Sequence, residues 1–324
     1  MESVNCNLCN SSNAVPVYDL PDLLLERGEV RTVLLKCCQC GLIYQSPRPT
    51  LEEIGVHYPP EYESYNPEPD RKRTSWLLDK AIQYGIHKRS RFVTQSKTHG
   101  TLLDVGCSTG VFLRGMQRLA GWQLYGVEIS KHAAQIARDQ YGLDVYNGTL
   151  EQAGFPAEHF DAVTLWDVLE HLHDPQASLK EIYRILKPEG VLVLRVPNGG
   201  SWDAKLFGKY WAGLDAPRHL YVFNQETLEK MLAAAGFKLR QMSCGIGSYP
   251  TFVLSVRFWL LGRGASPNLR SLLARALYHP VSRLVTAPVF YLGNLGLRGP
   301  LLTVTVEKDI RERPQMLSKV SSGS

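Results

Sequence analysis

Two rhythms of apolar residues alternate along most of this chain. Short unbroken apolar runs, of the kind that forms strands buried on both faces, are followed by stretches in which apolar residues return every third or fourth position. The first run is Leu102-Leu103-Asp104-Val105, after which Val111, Phe112, Leu113, Met116 and Leu119 fall at helical spacing. Further strands are expected at residues 122–127, 143–146, 160–166, 191–198, 237–242 and 301–306, and helices at 131–141, 179–186 and 225–235. A tight turn is expected at 187–190, and the last two strands should pair antiparallel. Such alternation predicts an α/β fold around a mostly parallel sheet. Between the last two strands, residues 243–300 far exceed a turn and show helix-like stretches around 252–261 and 269–292. Ahead of the sheet, residues 75–93 predict an amphipathic helix with Trp76, Leu77, Ala81, Ile82 and Ile86 on its apolar side. Arg71-Lys72-Arg73 and Lys88-Arg89 read as its solvated face. Residues 58–65, rich in tyrosine and proline, predict a crossing linker.

The turn after the first strand reads Asp104-Val105-Gly106-Cys107-Ser108-Thr109-Gly110. A Cβ at either glycine would fill space that a ligand needs. A dinucleotide fingerprint reads G-x-G-x-x-G, whereas this turn is D-x-G-x-x-x-G. A pyrophosphate avoids a carboxylate at that point, but the sulfonium and ammonium of S-adenosylmethionine favour one. The second strand ends at Glu128, where an acid accepts hydrogen bonds from both ribose hydroxyls. After the third strand, Asn147-Gly148-Thr149-Leu150 forms a loop placed to offer backbone groups to an adenine ring. Asp167 to His171 form a turn over the carboxyl edge of the sheet, where ligands of open α/β folds gather.

Seven cysteines include two C-x-x-C pairs, Cys6/Cys9 and Cys37/Cys40, each followed by a residue that tolerates a left-handed backbone, Asn10 and Gly41. Four thiolates at this spacing suit a tetrahedral, closed zinc site that is structural, because no position is left for water. The segment between the pairs is long enough for a short hairpin. Cys38 is an intervening residue. The start has no basic n-region or apolar h-region, and no uncharged apolar run reaches the ~18 residues of a membrane span. The expected location is cytoplasmic. A hydrophobic fraction of 44% supports a real core, with only the tail from Arg311 read as flexible. The net charge of +5 is uneven: residues 241–306 hold six arginines and no acid, while residues 1–50 hold four basic and five acidic side chains.

Together LLDVGCSTG, VEIS, FDAVTLWDVLEHLHDP and LKPEGVLVLRVPN, in this order over residues 100–240, resemble the class I S-adenosylmethionine-dependent methyltransferases. The resemblance implies a Rossmann-like seven-stranded sheet with a small N-terminal four-cysteine zinc ribbon and a helical insert before the last strand. It implies that Asp104, Gly106 and Gly110 border the methionine part of the cofactor, with Cys107 where many relatives have glycine. By the same resemblance Glu128 would hold the ribose and Asp167-Val168 line the same cleft; Ile129 beside Glu128, and Thr149 and Leu150 by the position of their loop, are the further cofactor candidates. The expected division is a ribbon at 1–50, a linker and helix at 51–98, the cofactor core at 99–242, the insert at 243–300, the final strand at 301–310 and a tail at 311–324. The ribbon, running through CxxCGLIYQSPRPT, is similar to that of bacterial enzymes of sugar and polysaccharide biosynthesis. In that group a histidine on the turn matching Ala216-Pro217-Arg218-His219 faces the substrate, which carries that role to His219.

Methyl transfer to OH or CH needs a base, and imidazoles titrate near neutral pH, so His219 and His171 are the candidates. The expected substrate is a small anionic metabolite, a nucleotide-linked sugar or related intermediate. A lipid-linked acceptor, an RNA and a non-catalytic binding role are the alternatives; the acid-rich ribbon speaks against nucleic acid, which is not an expected partner. Residues 243–300 are open to three roles: a substrate lid, an interfacial contact with anionic lipid at the inner membrane face, and a dimerisation element. The oligomeric state and the acceptor atom are not readable from the residues.

Overall fold

The computed structural model describes residues 1–59, 76–244 and 248–309. The chain begins with a hairpin of β1 (Ala14–Asp22) and β2 (Arg27–Cys37), to which β3 (Ile43–Gln45) adds antiparallel. After α1 (Trp76–Thr94) come β4 (Gly100–Val105), α2 (Val111–Met116), β5 (Trp122–Glu128), α3 (Lys131–Tyr141) and β6 (Asp144–Asn147). Next are β7 (Phe160–Trp166), α4 (Pro175–Ile185), β8 (Leu186–Pro197), α5 (Trp202–Phe207) and β9 (Tyr221–Val222). The chain closes with α6 (Gln225–Ala234), β10 (Phe237–Ser243), α7 (Ser248–Leu261), α8 (Pro267–Tyr278), α9 (Pro280–Leu295) and β11 (Leu301–Lys308).

The large sheet has seven strands in the order β10-β11-β8-β7-β4-β5-β6, with β4 to β8 parallel and β11 antiparallel to both its neighbours. This is the Rossmann-like α/β sheet that the resemblance implies. Successive strands run outward in opposite directions from β4 and β7, so the crevice at their carboxyl ends is the topological switch point. Helices cover both faces, which explains why β8 is buried without a break from Gly190 to Pro197.

Local chemistry sets the element ends. Ser130 caps α3 by accepting from the Ala133 amide, and Gly142 closes it in a left-handed conformation, so the helix keeps its expected bounds. α4 begins before its apolar rhythm does, because Asp174 accepts from the Ala177 amide and Pro175 opens the first turn. Residues 187–190 are not a separate turn: Phe160 pairs with Leu186 and Ala162 with Val191, so they bulge out of β8. The helix-like stretch at 269–292 breaks in two. Pro280 forces His279 into an extended conformation, and His279 then caps α9.

The N-terminal hairpin belongs to a second sheet of four strands in the order β1-β2-β3-β9, which includes a strand from the later part of the chain. β3 pairs with β9, joining Tyr44 to Tyr221 and Ile43 to Val222 across the two parts of the chain. The expectations for Tyr62, Tyr65, Arg71-Lys72-Arg73 and the tail lie outside the described residues, as do the side chains of Trp76, Leu77, Ala81 and Ile82. Among the described residues, no helix is long and apolar enough to cross a membrane.

Candidate active site

Asp104, the penultimate residue of β4, is almost fully buried and accepts a 2.6 Å hydrogen bond from the Thr164 hydroxyl of β7. Burial pushes its carboxyl up to about 7. Gly106 and Gly110 both have left-handed backbones, and a Cβ would strike Val168 at 2.6 Å and Leu143 at 2.4 Å respectively. Glu128, at the end of β5, accepts from the Ser108 and Ser130 amides, both at 2.8 Å, which ties it to the glycine turn. Burial raises its carboxyl as well. Asn147 donates to the carbonyls of Glu128 and Ile129, and Gly148 to that of Glu128, so the loop carrying Thr149 and Leu150 sits beside them. Ile129 is exposed there, while the Leu150 side chain is in the core and leaves only its backbone for a ligand. The Cys107 thiol also packs inward, over Gly126, whose missing Cβ makes room for it.

Asp167, with its backbone in the left-handed region, is bonded through both carboxylate oxygens by Arg195 of β8. Burial would raise this carboxyl, but Arg195 outweighs it and holds Asp167 below the usual carboxylate range. From Asp167 a cavity of about 770 Å³ opens away from the glycine turn. Lys88, Arg89, Arg195 and Arg257 line it with charge, and Pro250, Val253 and Leu254 of α7 form an apolar roof. Arg89 is therefore not part of a solvated face. Arg89 lies on the same helical stripe as Ile86, Ser90 and Val93, all buried, and stacks over Trp166 at 5.4 Å. Burial and the neighbouring Arg195 lower it to about 10, which leaves it charged at neutral pH.

His219 also lines the cavity. Its Nδ1 is 2.9 Å from the Gly213 carbonyl, a pairing that puts the proton on Nδ1 and the lone pair on Nε2. Nε2 lies 3.9 Å from both Glu170 and Asp215. Glu170 is fully buried, and among the described residues neither of its oxygens meets a hydrogen-bond partner. Burial, reinforced by the Asp167 charge, raises its carboxyl far above the usual range. His171 packs edge-on to His219 at 4.6 Å, with Nδ1 engaged by the Tyr58 hydroxyl at 2.8 Å and the Arg218 carbonyl at 3.1 Å. Burial pulls His171 down to about 3, so it is neutral. It does not line the cavity.

The four cysteines Cys6, Cys9, Cys37 and Cys40 stand apart from this site, with all sulfurs within 4.8 Å of one another. Cys6 and Cys40 are 3.4 Å apart and Cys9 and Cys37 3.5 Å. Four zinc–sulfur bonds of about 2.3 Å in a tetrahedron place sulfurs about 3.8 Å apart, so the set fits zinc with little adjustment. Asn10 and Gly41 adopt the left-handed backbones expected of the two knuckles.

The structure thus places Asp104, Gly106, Asp167 and Val168 at the carboxyl ends of β4 and β7, Glu128 and Ile129 at the end of β5 and Thr149 after β6 on the same edge, with His219 on the cavity that Asp167 also lines. Two residues were missed. Glu170, three positions beyond Asp167, showed no signal beyond its place in the same turn. Arg89 was detectable from its spacing to Ile86 and Val93.

A family described as a methyltransferase domain matches residues 78–242. The malonyl-[acyl-carrier protein] O-methyltransferase of Serratia marcescens is 29% identical over 156 residues, 48% of this chain and 60% of the relative. A ubiquinone biosynthesis O-methyltransferase of Actinobacillus pleuropneumoniae is 33% identical over 118 residues, 32% of this chain and 50% of the relative. The chain therefore spans about half the length of these curated relatives. A solved SAM-dependent methyltransferase of Thermotoga maritima is 24% identical, with a TM-score of 0.39 over 52% of this chain and 79% of its own.

Proposed function

The chain belongs to the methyltransferase family whose domain it matches over residues 78–242, and on that premise we propose that it methylates a hydroxyl of a small anionic metabolite, a nucleotide-linked sugar or related intermediate. S-Adenosylmethionine would be held by Asp104, the two glycines and Glu128; it supplies a methyl carbon already activated by a sulfonium. The observation that carries the reading is His219, anchored at Nδ1 with Nε2 free on a cationic cavity that meets the cofactor cleft at Asp167. A hydroxyl is a poor nucleophile until its proton leaves, and His219 takes that proton at Nε2. Lys88 and Arg89 attract the acceptor's negative charge, and the apolar roof excludes water. Oxygen as the acceptor atom follows the two curated relatives, both named for O-methylation. The four cysteines hold a structural zinc.

His219→Asn tests this reading. Removing a general base should lower turnover by about 10²–10⁴-fold. Cofactor affinity, measured by calorimetry, should change less than about threefold, because His219 lies outside the glycine turn. Full turnover in the variant would refute the assignment.

A further inference from the structure

From α9 outward the usual pattern is inverted. Ser282, Thr286, Phe290 and Gly293 face the protein, with Gly293 packed against Trp202, while the solvent face carries the large apolar residues. Val281 is 60% exposed, Leu284 76%, Val285 72%, Leu292 59% and Leu295 67%, and at helical spacing they form one stripe. α8 extends the patch with Leu272, 63% exposed. An apolar surface this continuous marks a covered face. The same segment carries the exposed arginines Arg263, Arg275, Arg283 and Arg298, of which Arg275 and Arg283 belong to α8 and α9 themselves, and no acid occurs between Gln241 and Val306.

We infer that α8 and α9 dock this protein on a lipid bilayer with anionic headgroups. An apolar stripe flanked by arginines is the arrangement of a helix lying in the interface, its apolar side at the acyl boundary and its cations among the headgroups. α8 and α9 have 12 and 16 residues, and no described helix is long and apolar enough to span, so the helices lie along the surface. Charge disfavours a second copy as the occupant. A two-fold contact would bring this acid-free surface against itself, arginine toward arginine. The insert therefore divides its work: α7 roofs the cavity, and α8 and α9 face outward. Ala274 and Tyr278 of α8 also line the cavity, so the docked face borders the acceptor site. The inference does not depend on the acceptor or on the methyl-transfer reading.

The test is flotation of the purified full-length protein with phosphatidylcholine vesicles, with and without one-third phosphatidylglycerol, at low and high salt. The wild type should float with anionic vesicles at least tenfold better than with neutral ones, and salt should weaken the binding. Leu284→Glu with Leu292→Glu should reduce it at least tenfold while leaving the thermal melt and S-adenosylmethionine binding unchanged. Arg275→Gln should reduce it to a smaller degree. Equal flotation with neutral vesicles, no flotation, or an unchanged Leu284→Glu/Leu292→Glu variant would overturn the inference. So would a solution dimer that the same double variant dissolves, since the face would then be occupied by a second copy.

Discussion

At Asp104 burial sets the chemistry of a motif residue. The Thr164 hydroxyl favours its ionised form, but near-complete burial wins and raises the carboxyl to about 7. Below that pH the empty site holds a proton, and a bound sulfonium or ammonium must displace it. With Asp104 meeting the cofactor's positive charge as proposed, affinity for S-adenosylmethionine should be full well above pH 7 and be lost as pH falls through it. Titration calorimetry should show binding about tenfold weaker at pH 6 than at pH 8, with proton release near neutrality. Asp104→Asn should bind weakly at both pH values, and a wild-type affinity independent of pH would contradict the role. The acids at strand ends, Asp104 and Glu128, were legible because the apolar runs that stop at them are long. Glu170 was not: nothing in WDVLEH shows that its carboxyl is left without a partner inside the protein.

Among the elements, the N-terminal segment of the knuckles, β1, β2 and β3 contacts several parts of the candidate site. At the hairpin tip Glu26 binds Arg257 and Arg270, which hold α7 and α8 over the cavity. At the first knuckle, Gln176 of α4 donates to the carbonyls of Asn7 and Leu8, fixing the loop that follows His171. Through β3, the hairpin pairs with β9, which starts two residues after His219. The buried Arg218 completes the link by bonding Asp22 of β1 and Asp215 of the histidine loop. If the proposed zinc organises the knuckles, removing it should loosen His219 and the roof while sparing the glycine turn. Chelation or Cys37→Ser should therefore lower turnover at least about 100-fold and leave S-adenosylmethionine affinity within about threefold. A metal-free protein that keeps its fold and full turnover would contradict this. The knuckles and the hairpin were legible from cysteine spacing. The pairing of β3 with β9 was not, because short strands more than a hundred residues apart leave no shared local pattern.

At the scale of the whole molecule, the rhythm of apolar runs was enough for the sheet, since parallel strands buried on both faces must read that way. The insert was less legible. Its apolar residues look alike in sequence whether they face the cavity, as Val253 and Leu254 do, or solvent, as Leu284 and Val285 do. Only the packing of α7 against the core separates a roof from an outer face. On the proposed function, this cavity accepts a small anionic molecule whose hydroxyl gives its proton to His219. The most direct test is incubation of the protein with methyl-labelled S-adenosylmethionine and an extract of its own cells, followed by separation into small aqueous, organic and RNA fractions. Label should enter the small aqueous anionic pool with the wild type and not with His219→Asn. Label in RNA, in the organic phase, or undiminished with His219→Asn would overturn the proposed function.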